Sequence, residues 1–332
     1  WFAKWINQLS IYFFIARWGR VFLKDVIVLG GLNMDLIVET PRLAGPGETT
    51  EGTRFYTTPG GKGGNQAVAA ARIAESPGSV KMVGRIGDDG FGEQMGQFLN
   101  NEGIDISLLR KTDGIASGIA AIFILPDGEN HVNPVYGANA LCDQQQSLDV
   151  AGMLSTTGVL LCQQEIPLPA TKAAINAAAK AGVVVILDPA PVRKVPDGFY
   201  DSVTVLTPNQ GEASAMSGIE VTDAVSARSA AVAIRNMGTE TVIVTLGDQG
   251  AWVESDGVSE LLDPFIVPVV ASVAAGDAFN GGLGVGIASG MDLLEAASLG
   301  MASGAICVSR DGAQEAMGSK AEVSALMVSK TK

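Results

Sequence analysis

Asp277 is the residue around which a reaction can be written. It follows Val273-Ala274-Ala275-Gly276 and opens a run of small residues, Ala278-Phe279-Asn280-Gly281-Gly282. Small side chains let a helix over 278–289 approach its neighbours closely, with Ala274, Ala275 and Gly276 as its first turn. N–H groups in a first turn have no partner within the helix, and together with the helix dipole they attract an anion. A carboxylate beside an anion repels it. The conflict resolves if Asp277 takes the proton of a hydroxyl that attacks a phosphoryl group held over the turn. An aspartate that merely complements the dipole is the alternative open at this point.

A second stretch, Pro59-Gly60-Gly61-Lys62-Gly63-Gly64-Asn65-Gln66, opens a helix expected over 67–73. Its four glycines let backbone come close to a ligand, and Lys62 and Asn65 can donate hydrogen bonds. It is not a phosphate-binding P-loop, which would need glycine where Tyr56 stands and serine or threonine where Gly63 stands. Nor does it match a dinucleotide fingerprint. The glycines therefore argue for a small polar ligand. Asn33 and Asp35 follow the apolar run Val26-Ile27-Val28-Leu29 and share one side if the chain stays extended. A turn-forming Asn-Met-Asp is the other reading.

These groups need a frame. The run 26–29 has the look of a strand buried on both faces of a parallel sheet. Similar strands are expected over 80–87, 158–163, 183–187, 203–206 and 241–246, the last clear one. Helices are expected near 91–102, 170–181 and 224–237. Polar residues recur after strand upon strand: Asn33, Glu165, Asn209, Glu212 and Gly247. This alternation predicts a doubly wound α/β sheet with its site along one edge. Extended pieces within 37–58, and a hairpin over 119–136 turning at Asp127-Gly128, predict a small separate β piece.

Composition narrows the function. The 332 residues are 47% hydrophobic and 17% charged, with a net charge of −13 and no basic block in the body. Nucleic acid is therefore not an expected partner. Three scattered cysteines, Cys142, Cys162 and Cys307, form neither a metal pattern nor a disulfide framework and suit a reducing cytoplasm. The one histidine, His131, falls just past the hairpin turn, where surface packing is the expectation. Residues 1–24 hold three of the four tryptophans and four basic residues but no acidic one. Their longest apolar run is too short to span a bilayer, so a non-catalytic appendage without stable membrane insertion is expected.

With these residues placed, the chain resembles the ribokinase family of sugar kinases over nearly all of 26–314. The most specific parts are Gly60–Ala67 and Ala274–Gly281, supported by Gly137-Ala138-Asn139-Ala140 and Arg310-Asp311-Gly312-Ala313-Gln314. The resemblance implies a doubly wound, mostly parallel sheet flanked by helices over 25–325, with a β lid from about 37–59 and 117–136. It implies ATP-dependent phosphorylation of D-ribose at its 5-hydroxyl. Kinases for another sugar or a nucleoside, and a sugar-binding relative without catalysis, are the rivals.

By the same resemblance, Asn33, Asp35, Gly61, Lys62, Asn65 and Glu165 hold the sugar and Asp277 is the base. N–H groups of Ala274, Ala275 and Gly276 steady the transferring group. Asn209, Thr245, Gly247 and Gly250 meet the nucleotide, and Glu212 helps place magnesium. The lid implies a homodimer. Met301 stands where the family often has a polar residue facing the nucleotide, which implies a more apolar adenine pocket. Ala271 and Ala316 stand where an aspartate and a serine ligate potassium. Only backbone carbonyls of Val273, Cys307, Arg310 and Gly312 remain for that ion, which argues against strong potassium activation.

Overall fold

The computed structural model describes residues 24–330. The expected appendage, apart from Lys24, lies outside the described residues. Strand β1 (Asp25–Leu29) pairs in parallel with β4 (Val80–Gly87) on one side and β8 (Thr157–Cys162) on the other. From β4 the sheet continues to β5 (Leu109–Thr112). From β8 it continues through β9 (Val184–Leu187), β10 (Val205–Leu206) and β11 (Thr241–Thr245). Beyond β11 it ends in an antiparallel ribbon, β12 (Ala251–Ser255) and β13 (Val258–Leu262). β11 is thus not the last strand. The ribbon reads poorly in sequence because no residue of β13 is fully buried and it lacks a continuous apolar run.

Alternation along β1 feeds two cores. Val26 and Val28 pack on one face with helices α1 (Lys62–Ile73), α7 (Ala275–Ala288) and α8 (Leu293–Val308). Ile27 and Leu29 pack on the other face, with α4 (Leu168–Lys180) and α6 (Ala224–Arg235). α2 (Gly90–Asn101), α3 (Gln144–Met153), α5 (Gln210–Ser217) and α9 (Lys320–Lys330) complete the described helices. The chain leaves β1 toward β4 and returns through β8 on its opposite side. The carboxyl ends of β1 and β8 therefore flank a switch point, where open α/β sheets bind ligands.

A separate four-stranded sheet, ordered β3-β2-β6-β7, is built from β2 (Asn33–Glu39), β3 (Arg54–Gly60), β6 (Gly118–Ile124) and β7 (Asn130–Val135). It begins at Asn33, earlier than the expected position 37. Asn33 and Asp35 consequently sit on β2 itself, facing the same way, opposite Gly60 and Thr58 of β3.

Two helix starts also differ from expectation. α1 begins at Lys62, so Gly63 and Gly64 lie in its first turn and not in a loop before it. Gly61, at φ 82°, caps it. Glycine propensity opposes helix there, but tertiary packing prevails. A Cβ on Gly63 would lie 2.7 Å from the Gly31 carbonyl oxygen, so only glycine lets α1 press against the β1–β2 connection. α7 begins at Ala275, after Ala274 at φ 58°, and its first turn is therefore Ala275–Asp277.

Candidate active site

The first turns of α1 carry three groups to three carboxylates. The Lys62 backbone N–H, an orphan donor of the helix start, binds Glu165 Oε2 at 2.8 Å. Asn65 Nδ2 donates to Asp277 Oδ2 at 2.9 Å, and Gln66 Nε2 donates to Asp277 Oδ1 at 3.1 Å. Gln66 Nε2 also reaches Asp188 Oδ2 at 3.0 Å, and Lys62 Nζ stands 3.8 Å from that same oxygen. Asp277, 4% exposed, is therefore held by α1 in the third position of α7. Gln314 Nε2 in turn fixes Asn65 by donating to its Oδ1 at 3.0 Å.

One cleft brings together Lys62, Asp188, Thr207, Asn209, Glu212, Thr245, Ser272, Asn280 and the stretch 274–277. Its floor is the first turn of α7. A Cβ on Gly276 would meet nothing within 4 Å, so space lies open over that turn. Ala274 is the one non-glycine with positive φ among the described residues. Strain of this kind gathers where geometry serves a site. Thr207 Oγ1 donates to Asn280 Oδ1 at 2.8 Å, tying the end of β10 to α7. Asn209 and Glu212 cap α5 reciprocally, each side chain accepting the other's backbone N–H at 2.9 Å.

The expected sugar residues gather on the neighbouring side. Asn139 locks Asn33: its Nδ2 donates to Asn33 Oδ1 at 3.0 Å and to the Leu32 carbonyl at 2.8 Å. Glu315 accepts a hydrogen bond from Thr58, linking the small sheet to the segment after α8. Burial, then the nearby carboxylates of Glu165, Glu315 and Asp277, push the Asp35 carboxyl up to about 7. Glu165 is raised mainly by burial, opposed by Lys62. Burial likewise pushes Asp188 up, against the pull of Lys62. Burial alone would lower the Lys62 ammonium, but Asp188, Asp277, Glu165 and Glu212 outweigh it and raise it. Lys62 is thus the cation of an acid-rich site.

Gly247 and Gly250 bracket a turn after β11, just beyond Thr245, which lines the cleft. A Cβ on Gly250 would fall 2.0 Å from the Leu262 carbonyl oxygen, which ties that glycine to β13 packing. Met301 packs against the core on α8. Sequence reasoning passed over Asp188, Thr207, Gln66 and Gln163 as site residues. Asp188 and Thr207 follow strands β9 and β10, the same signal that marked Asn209. Gln163 follows β8 in the same way, whereas Gln66 lies on α1 and carries no such signal.

The side chains at 271 and 316 offer a potassium ion no oxygen, leaving it backbone carbonyls alone. The Val273 carbonyl accepts the Cys307 thiol at 3.5 Å, and the Cys307 carbonyl accepts the Arg310 N–H at 3.2 Å. Burial pushes that thiol up to about 12, so it is neutral and no anionic ligand. Ala271 and the fully buried Ala316 offer methyl groups where a hard cation needs oxygen. Exchange of potassium for tetramethylammonium at equal ionic strength is expected to change turnover less than about twofold. A loss beyond about tenfold overturns that expectation.

Known proteins share this fold and part of this sequence. The sequence pattern of pfkB family carbohydrate kinases matches residues 23–320. A ribokinase of Haemophilus influenzae is 35% identical over 299 residues, 90% of this chain and 97% of that protein. Ribokinase of Thermotoga maritima superposes with a TM-score of 0.83 at 30% identity, covering 92% of this chain and 99% of that one. Arabidopsis thaliana ribokinase, solved in complex with ribose and ATP, gives 0.84 at 29% identity with the same coverage. An acid at a helix start, facing an open cleft on one side and polar strand residues on the other, is thus found on a shared fold and a shared sequence. The chain belongs to the pfkB family of carbohydrate kinases.

Proposed function

We propose that the protein transfers the γ-phosphoryl group of ATP to the 5-hydroxyl of D-ribose. The observation that carries this reading is the position of Asp277. It borders the cleft over α7 and is held by Asn65 and Gln66 of the stretch that also carries Gly61 and Lys62. Relatives named as ribokinases, one of them bound to ribose and ATP, support the choice of substrates.

In this reading Asn33, Asp35, Lys62, Asn65 and Glu165 orient the sugar. Asp277 accepts the 5-hydroxyl proton while that oxygen bonds to the γ-phosphorus. The bond from phosphorus to the β–γ bridging oxygen breaks, and ADP leaves with the electron pair. N–H groups of the α7 first turn, with Lys62, offset charge on the transferring group. Asn209, Thr245 and the 247–250 turn meet the nucleotide. Among the described residues no cluster of three or more His, Cys, Asp or Glu is arranged to hold an ion. Magnesium, however, binds through one or two carboxylates plus phosphate oxygens, and Glu212 and Asp188 at the cleft suit that demand. When bound, the ion neutralises phosphate charge.

The small sheet serves as the lid over the sugar. Its exposed Phe55 and Val135, which face the same way, support a homodimer through it. Cytoplasmic residence suits the free, buried cysteines; no helix among the described residues is long and apolar enough to cross a membrane. A panel of sugars and nucleosides with ATP and magnesium tests the assignment. Ribose is expected to turn over best. Inert ribose beside rapid phosphorylation of fructose or adenosine overturns it.

Asp35 gives a pH signature. Its carboxyl, ordinarily near 3.8, is raised to about 7 in the ligand-free protein. If the ionised form accepts sugar hydroxyls, kcat/KM for ribose rises between pH 6 and 8, because that ratio reports the free enzyme. Asp35→Asn is expected to flatten this limb and weaken ribose by roughly 10- to 100-fold, the worth of hydrogen bonds to a charged acceptor. Stability moves oppositely. A raised carboxyl gives stability that is full below its unfolded value and lost as pH rises through about 7. At pH 8 the neutral variant should therefore be more stable by about 1–2 kcal/mol, a figure discounted for partial solvent screening. Thermal melts without ligand at pH 5 and 8 check the sign.

A further inference from the structure

We infer that Gln66 is a positioning residue for phosphoryl transfer, a forked neutral donor that sets the Asp277 carboxylate against the second buried acid, Asp188. The inference rests on Asp277 being the base.

Gln66 is fully buried. Its Nε2 lies 3.1 Å from Asp277 Oδ1 and 3.0 Å from Asp188 Oδ2, so its two amide hydrogens serve two different acids. Its Oε1 accepts Gln163 Nε2 at 2.6 Å. This network decides the amide orientation. Turned over, the Gln66 oxygen would face two carboxylates and its NH2 would face another NH2. Gln163 is itself wedged, since a Cβ on Gly30 would lie 1.8 Å from its Oε1.

The chemistry favours this residue type. Two buried acids facing one donor group repel one another, and each needs a partner in the low-dielectric interior. A lysine here would place a further cation against the base and weaken its pull on a proton. A neutral amide fixes both carboxylates and leaves Asp277 free to accept one. Asn65 holds Oδ2 of Asp277 while Gln66 holds Oδ1, so the two neighbours on α1 together set the carboxylate plane. With Gln66 gone, one edge of that plane is unheld, and loss of alignment costs rate rather than affinity.

A buried amide also serves the fold, so the test separates that role. Turnover of ribose with ATP is measured for the full chain, Gln66→Met, Gln66→Glu, Asp277→Asn and the double variant Gln66→Met/Asp277→Asn. Gln66→Met is expected to lower kcat about 10- to 100-fold, with both KM values within about threefold. Gln66→Glu keeps the shape but loses the donor pair, and is expected to be at least as slow. In the Asp277→Asn background, Gln66→Met should lower the rate less than about twofold, because its effect passes through the missing base. An equal fold-loss in both backgrounds marks a structural residue and overturns the inference. So does a kcat within about threefold of wild type in either Gln66 variant, or failure of both to fold by circular dichroism. If Asp277→Asn itself keeps more than about a tenth of the rate, the base assignment fails, and that result is distinct from any at Gln66.

Discussion

Asp277→Asn is expected to lower turnover by roughly a hundredfold to ten-thousandfold, the range a positioned general base contributes. Asparagine has almost the shape of aspartate but cannot take the hydroxyl proton. Affinity for ATP should hold or rise, because the first turn of α7 still attracts phosphate and one nearby negative charge is gone. Ribose affinity should fall only slightly. The reason for any fall is local: both Asn65 Nδ2 and Gln66 Nε2 donate to the carboxylate, and an amide at 277 can accept only on its single oxygen. Calorimetric titration of each ligand, beside a steady-state rate, separates the two effects. A variant keeping more than about a tenth of the wild-type rate shows that Asp277 is not the base.

Gly63→Ala is expected to damage both stability and rate, although it adds one methyl group. Its Cβ would lie 2.7 Å from Gly31 O, 2.8 Å from Gly30 C and 2.9 Å from Gly30 Cα. All three are backbone atoms, so no side chain can swing aside. α1 must then back away from the β1–β2 connection. Overpacking of this kind costs about 1–3 kcal/mol, read as a lower urea midpoint. The same shift carries Asn65 and Gln66 off Asp277, and a displacement near 1 Å can cost about a hundredfold in rate. Gly152→Ala on α3 is the control. A Cβ there meets nothing within 4 Å, and alanine in a helix is worth up to about 1 kcal/mol over glycine. If Gly63→Ala matches this control in midpoint and rate, close approach is not what the glycine is for.

Much of the frame was legible because it is written locally. Apolar runs ending in polar residues marked the parallel strands, since a strand buried on both faces must be apolar throughout. Small residues before Asp277 marked a helix start, whose unpaired donors belong to the chain wherever it folds. The separate sheet was legible from its turn residues, although β2 begins at Asn33 and so carries Asn33 and Asp35 itself. The fainter β13, none of whose residues is fully buried, had no continuous apolar run to announce it.

The sequence by itself determined the alternation of strand and helix, the glycine stretch, and Asp277 as the acid at a helix start. Tertiary structure alone decided what surrounds that acid. Asn65 reaches Asp277 across 212 residues, and Gln314 reaches Asn65 across 249. Gln66 bridges Asp277 and Asp188 from a helix turn whose glycines would oppose helix in isolation. A hydrogen bond depends on distance and direction in space, and chain separation encodes neither. Periodicity reports which face of an element is buried, but a buried amide or acid looks the same in sequence whether it faces a ligand, a base or nothing. Only packing α1 against β1 and α7 made Gln66, Asp188 and Asp277 neighbours.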